Sequence, residues 1–325
     1  MSGPKVAVVE EFTAAQVEAL RRALPDGATV LTDALGAGTI GQADYLVLRE
    51  AGVEDDRLST LSSLRGVVII ESGGAAVSGE VCESMGAWTE AVTSPGPTSV
   101  AEHAVMLILA LFKRLPTAHQ RLMDGVVVDG MEPFVTDQLN YSYNWVGLDL
   151  FEAVLGKTVG LVGVGQIGRV AAKLLVAFGV DVVYYKRNRF SPEKEQELGI
   201  RYLPFDELLA ESHCVSLHNK FTAETEKMMG AREFALMPEG SFFVNTARGR
   251  LVDEDALMEA LNSGHLAGAA LDVFWWEPIL PDSPLRDTPN LLMTPHTAGT
   301  PAGDNVALEL GSAGRVIRRR NGGVT

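Results

Sequence analysis

The sequence predicts an α/β protein in which parallel sheets are covered by helices on both faces, an arrangement built twice in one chain. Three observations lead there. Strand-like runs alternate with amphipathic helical runs over the first seventy residues. A break at "TSPGPTS", Thr93 to Ser99, ends that unit, and a second alternation runs from Lys157 to about Thr294. The chain has 325 residues and 46% hydrophobic content, enough to fill two cores of ordinary domain size.

In order, the opening reads as a strand at Val6 to Val9, a helix over Ala14 to Leu24 and a strand near Ala28 to Leu31. The strands "DYLVLR" and "GVVIIE" follow, with helical connectors. After the break, Ser99-Val100-Ala101-Glu102 has capping-box spacing ahead of the apolar run "HAVMLILALF", so a helix is expected to start just past Ser99. That helix is apolar on nearly every face and is expected to be buried between layers or subunits. Residues Met123 to Leu155 are rich in Gly, Asp and aromatics with little periodicity, the pattern of a subunit clasp or a lid. The tail "NVALELGSAGRVIRRR" reads as a last helix whose arginines suit its own dipole.

Composition excludes several classes. Lys and Arg number 27 against 42 Asp and Glu, a formal charge of −15, which repels nucleic acid and anionic lipid at long range. Cys82 and Cys214 are far apart, with no CxxC or Cys/His ligand spacing, so no disulfide framework and no metal site is expected. The N-terminus has no targeting pattern and no apolar run is long enough for a membrane span, which suggests a cytoplasmic protein.

"KTVGLVGVGQIGRVAAKLL" places Gly163, Gly165 and Gly168 in G-x-G-x-x-G spacing between a strand and a helix, with Gln166 and Ile167 between the last two glycines. Glycines allow a tight turn and close approach to a pyrophosphate, and a helix N-terminus offers the anion unpaired N–H groups. The second alternation is therefore a Rossmann-like, dinucleotide-binding unit. In the NAD version an acidic residue ends the next strand and binds the adenosine ribose. Here "VDVVYY" is followed by Lys186, Arg187 and Arg189, a cluster suited to a 2′-phosphate through charge-assisted hydrogen bonds, so NADP is expected in preference to NAD. A solvated loop with some other NAD contact is the alternative.

Further on come "FFVNTARGRLVDEDAL", "GAALDVFWWEP" and "LLMTPHTAG", in that order. With the glycine loop, these closely resemble the D-isomer-specific 2-hydroxyacid dehydrogenase family, which includes glyoxylate/hydroxypyruvate reductases and phosphoglycerate dehydrogenases. The resemblance covers roughly Ser94 to Gly299 well and the first ninety residues in outline. It implies catalytic roles for Arg248 of "NTARG", Glu277 of "WWEP" and His296 of "TPH". The arginine holds the substrate's carboxylate and keto oxygen, the histidine exchanges the proton as hydride moves, and the glutamate favours the charged histidine. Asp272 matches a position near the nicotinamide, with Thr246 and Ala247 on the cofactor side. Taken singly, His296 would be a structural histidine, Glu277 a surface acid and Arg248 a helix cap; their joint order favours catalysis. His103, His119, His213, His218 and His265 lack that support and are read as structural.

The chain departs from the family pattern in three places. "ESGGAAVSG" puts Glu71 where arginine is usual and Val77 where aspartate is common. The backbone of Ser72, Gly73 and Gly74 remains able to bind a carboxylate, while Glu71 disfavours a second anionic group and points to a small or neutral-tailed 2-oxo acid. Lys220 replaces a usual proline, either as a surface lysine or as a further cation near the adenosine. Trp275 and Trp276 either wall the substrate pocket or pack at a subunit edge.

The expected organisation is two Rossmann-like domains. A flavodoxin-like substrate domain comprises residues 1–98 and 297–325, and a dinucleotide-binding domain, 99–296, is inserted in it, with the cleft at the crossings. A homodimer acting on a small 2-oxo acid or D-2-hydroxy acid is expected, without nucleic acid or membrane as partner. Two rivals stand beside it: oxidation of formate or phosphite, and a dinucleotide-sensing corepressor.

Overall fold

Both sheets of the protein are wholly parallel, as strands joined by helical crossovers require. The structure is a computed structural model that describes residues 3–32, 40–70, 75–92, 95–149, 151–299 and 305–322. The chain divides into two compact units, Met1–Ser99 with Thr300–Thr325, and Val100–Gly299.

The first unit contains β1 (Lys5–Val8), α1 (Ala14–Ala23), β2 (Thr29–Leu31), β3 (Tyr45–Leu48), α2 (Asp55–Leu58), β4 (Gly66–Ile70), α3 (Gly79–Ser84) and β5 (Trp88–Val92). Its sheet order, β2-β1-β3-β4-β5, is the flavodoxin-like order. Thr13 and Gln16 form a capping box that starts α1. One face of this sheet is covered by α1 and by the final helix of the chain (Asn305–Arg320), whose Leu310, Ala313 and Ile317 are fully buried with Val6, Val8 and Val68. A Cβ on Gly314 would lie 2.7 Å from Ala23 Cβ, so glycine is what lets these two helices approach.

Arginines of the final helix serve its neighbours. Arg318 donates to the carbonyls of Arg22, Ala23 and Leu24 at the C-terminus of α1, and Arg319 and Arg320 pair with Glu90. The expectation that they suit their own helix's dipole left out these neighbouring acceptors.

The apolar helix begins earlier than its capping-box spacing suggests. It runs Pro95–Phe112 (α4), with both prolines and Gly96 in its first turn rather than in a preceding loop. Proline is tolerated there because the first N–H groups of a helix have no intrahelical partner. Ala101, Ala104, Leu107 and Ile108 are fully buried; truncating such a leucine to alanine costs about 2–5 kcal/mol.

The second unit continues with α5 (Leu115–Met123), β6 (Thr158–Val162), α6 (Gln166–Ala177), β7 (Asp181–Tyr185), α7 (Pro192–Leu198), β8 (Ile200–Tyr202), α8 (Phe205–Glu211) and β9 (Cys214–Leu217). After these come α9 (Ala231–Leu236), β10 (Ser241–Asn245), α10 (Glu254–Asn262), β11 (Leu266–Leu271) and β12 (Leu291–Met293), and the final helix is α11. Strand order is β12-β11-β10-β9-β6-β7-β8. Alternate residues of the strands feed two cores. One is built with α4 and α6 around Val159, Leu161, Val182 and Val244; the other, with α8, α9 and α10, surrounds Val183, Val215, Phe243 and Leu271. Between α5 and β6 no helix or strand forms among the described residues, and Phe134, Val135, Leu139, Tyr141 and Tyr143 are exposed there. No helix among the described residues is long and apolar enough to cross a membrane.

Candidate active site

In a parallel sheet the C-terminal ends of all strands share one edge, and in open α/β sheets ligands bind there. In the second unit that edge carries the glycine loop after β6, the cations after β7, Asn219 after β9, Thr246 to Arg248 after β10, Asp272 after β11 and His296 after β12.

The glycine loop is shaped by what a side chain would strike. Gly163 has φ +87°, and a Cβ there would come within 2.6 Å of Asn219 N. On Gly168 it would meet Gly163 O at 2.8 Å, so the helix can lie close on the loop, whereas at Gly165 nothing lies within 4 Å. Gly165 is also the N-cap of α6 and supplies no side-chain cap, so the first N–H groups of a twelve-residue helix face this open space. Gln166 opens the helix, and Ile167 packs against the core, offering the loop only its backbone. Two buried oxygens on the same edge, Thr246 Oγ1 and Asn219 Oδ1, have no hydrogen-bond partner. A backbone cradle for phosphates beside unused polar atoms fits a dinucleotide.

The three cations after β7 have different surroundings. Arg189 forks onto Glu195, with Nε 2.7 Å from Oε1 and Nη2 2.9 Å from Oε2, and its guanidinium lies over the Tyr202 ring. Burial pushes Tyr184 up to about 12; its hydroxyl donates to Glu195 Oε1 at 2.8 Å and accepts from Phe190 N at 2.9 Å. The turn is thereby closed on itself. Lys186 Nζ lies 3.9 Å from the centroid of Phe190, and burial, followed by the nearby Arg169 charge, holds its pKa below the usual lysine value. Arg187 is largely exposed, 3.5 Å from Glu224. Lys220 is exposed in the loop after β9.

At the other end of the edge, His296 Nδ1 lies 2.6 Å from Glu277 Oε2, and Glu277 Oε1 accepts from Phe274 N at 2.9 Å. Both side chains are partly exposed, 48% for His296 and 36% for Glu277, so the ring is reachable. With Nδ1 directed at the carboxylate, Nε2 is the nitrogen left to face a substrate. Arg248 is exposed, and its loop is tied by Asn245, whose Nδ2 donates to Arg248 O at 2.8 Å while Oδ1 accepts from Ala247 N at 3.0 Å. Gly249 then rests on the Phe274–Trp275 peptide, where a Cβ would come within 2.0 Å of Phe274 C. The arginine loop is thus pressed onto the segment that leads to Glu277.

Asn245 was not among the residues singled out in the sequence. A polar side chain at the C-terminal end of a fully buried strand, directly after Phe242, Phe243 and Val244, is the signal that marks it. Asp272, expected on the cofactor side, directs its carboxylate oxygens to Thr294, Thr297 and Ala298. Of the two tryptophans, Trp275 is packed, its Nε1 donating to Val252 O at 2.6 Å, whereas Trp276 is 66% exposed. The expected carboxylate loop, Glu71 with Ser72, Gly73 and Gly74, lies outside the described residues.

Known proteins resemble this chain in sequence and in fold. A glyoxylate reductase of Korarchaeum cryptofilum is 37% identical over 200 residues, 62% of this chain and 56% of that protein, so the matched region spans just over half the relative's length. A glyoxylate reductase of Aeropyrum pernix is 34% identical over 249 residues, 76% of this chain and 70% of that one. A solved structure of a protein from Pyrococcus horikoshii superposes with a TM-score of 0.60 at 26% identity, covering 99% of this chain and 93% of the other. Residues 105–298 match the NAD binding domain of the D-isomer specific 2-hydroxyacid dehydrogenases, and the chain belongs to that family.

Proposed function

We propose that the protein reduces a small 2-oxo acid to the D-2-hydroxy acid with NADP(H), or runs the reverse reaction. The observation that carries the reading is the His296–Glu277 pair at 2.6 Å, on the same sheet edge as Arg248 and the glycine loop. A guanidinium binds a carboxylate and neighbouring keto oxygen in a fixed fork, so Arg248 orients the substrate and polarises its carbonyl. His296 donates a proton from Nε2 to the oxygen that gains charge, and the Glu277 carboxylate on Nδ1 stabilises the imidazolium that does so. When bound, the cofactor supplies or accepts the hydride. Gly163, Gly165, Gln166, Ile167 and Gly168 would hold its pyrophosphate, and Thr246 and Ala247 its nicotinamide side.

For the 2′-phosphate, Lys186 and Arg187 are the cations the geometry favours, because Arg189 is already held by Glu195. Glu71 in the first unit, where the family pattern has arginine, favours a substrate without a second anionic group. The exposed apolar side chains between α5 and β6 support a homodimer.

Oxidation of NADPH and NADH is measured against a panel from glyoxylate and hydroxypyruvate to phenylpyruvate and oxaloacetate. Turnover of one group of 2-oxo acids, with higher kcat/KM for NADPH, is expected. Absence of turnover with either cofactor would overturn the reading, and turnover with NADH alone would overturn the NADP assignment. Light scattering at working concentration is expected to give twice the chain mass.

A further inference from the structure

The three cations after β7 differ in what holds them. Arg189 forks onto the Glu195 carboxylate and Arg187 lies 3.5 Å from Glu224, so each rests beside an anion. Lys186 makes no ion pair among the described residues. Its Nζ lies 3.9 Å from the centroid of the Phe190 ring, and both side chains are half-buried. A ring face attracts an ammonium through its quadrupole but carries no net charge. The lysine is therefore kept near the ring with its full charge, and no directional acceptor fixes its N–H groups.

Phe190 is itself set by the fold. Its N–H donates to the Tyr184 hydroxyl at 2.9 Å, and its ring packs against that of Tyr184 with centroids 5.4 Å apart. Tyr184 is fully buried, and its hydroxyl donates to Glu195 Oε1 at 2.8 Å. Ser191 follows immediately as the N-cap of α7, with Oγ accepting from Lys194 N at 3.4 Å. Phe190 is thus pinned between the end of β7 and the start of α7, against the core that contains α6. From α6, Arg169 adds a second positive charge near Lys186, which favours an anion there.

We propose that Phe190 is a positioning residue for cofactor selectivity: its ring holds the Lys186 ammonium, unneutralised, where the 2′-phosphate of NADP(H) binds. The proposal rests on the reading of the cations after β7 as the 2′-phosphate site. An ammonium confined before the cofactor arrives has less freedom left to lose on binding than a long, solvated lysine has. A carboxylate in place of the ring would confine the lysine equally and cancel the charge that the phosphate needs, as Glu195 does for Arg189. A leucine would pack against the core and offer no such face.

The test compares Phe190→Leu, which keeps an apolar side chain and loses the ring, with Phe190→Tyr, which keeps the ring, in the full chain. Two quantities are read: the dissociation constants of NADPH and NADH from nicotinamide fluorescence, and the NMR shift of the Lys186 ε-methylene, which an aromatic face moves upfield. The leucine variant is expected to bind NADPH about fivefold more weakly, to bind NADH within about twofold of the parent, and to lose the upfield shift. The tyrosine variant keeps the parent values. If Phe190→Leu does not fold, Tyr184→Phe removes the hydroxyl that holds the Phe190 N–H, and the same changes are expected at smaller size. A leucine variant with equal losses for both cofactors, or with the parent's ε-methylene shift, would overturn the proposal. A parent that binds NADH as tightly as NADPH would overturn the NADP(H) reading and the selectivity role together, whereas a preference intact in the leucine variant overturns the role alone.

Discussion

The two ends of the seven-stranded sheet's functional edge are built differently. After β10, β11 and β12, buried Asn245 and Asp272 each tie a loop that carries a candidate catalytic group, and Gly249 presses one loop onto the next. After β7, the turn is also clamped, by Tyr184, Arg189 and Glu195, yet the groups offered to a ligand are a half-buried lysine and an exposed arginine. Chemistry needs atoms fixed to fractions of an ångström, whereas recognition of a phosphate tolerates a mobile point charge.

The sharpest way to break this comparison is at the catalytic end. His296→Gln is expected to lower kcat by about 10²–10⁴-fold, the usual contribution of a general acid, with NADPH affinity unchanged. Single-turnover and fluorescence measurements separate the two quantities, and a variant that keeps its rate would remove His296 from the mechanism. Glu277→Gln removes one charged partner and is expected to lower kcat/KM by roughly 10- to 100-fold, the worth of one charge-assisted hydrogen bond.

At the β7 end the effect appears as a ratio. Lys186→Ala is expected to reduce the preference for NADPH over NADH by about tenfold while NADH turnover changes little; equal losses with both cofactors would mean that Lys186 does not see the 2′-phosphate. The same lysine predicts a pH dependence. Its pKa lies below the ordinary value because burial and Arg169 disfavour the charge. The protonated form binds the phosphate, so the preference is expected to weaken as pH rises, earlier than for a solvated lysine, and the Lys186→Ala profile to be flat. The smallest effect is expected for Arg189→Ala, which leaves the cofactor ratio within about twofold because an exposed ion pair contributes little. A large change there would mean that the fork on Glu195 opens for the cofactor.

The same contrast explains what could be read before the fold was known. The glycine turn after β6 was legible because close backbone approach admits few residue types, and the order of the motifs anticipated that Glu277 and His296 lie side by side. A parallel, helix-covered sheet in the first unit followed from the alternation of strands and helices, whereas its strand order did not. The start of α4 at Pro95 was not legible, because prolines that look like a break also fit a first helical turn. Arg189 looked like its neighbours in sequence, and only the fold brings Glu195 under it. His103, read as structural, reaches Thr294 across 191 residues of sequence, a contact that no local pattern announces.

The final helix carries one more consequence. Its Leu310, Ala313 and Ile317 lie in the same core as Val6 and Tyr45, whereas the second unit is continuous from Val100 to Gly299. During synthesis, domains fold as their residues emerge from the ribosome. The inserted unit therefore has its whole sequence in hand first, while the sheet begun before it keeps an apolar face uncovered until α11 has been added. For that interval the newborn chain depends on its own growth, or on a chaperone, to keep this face from other chains.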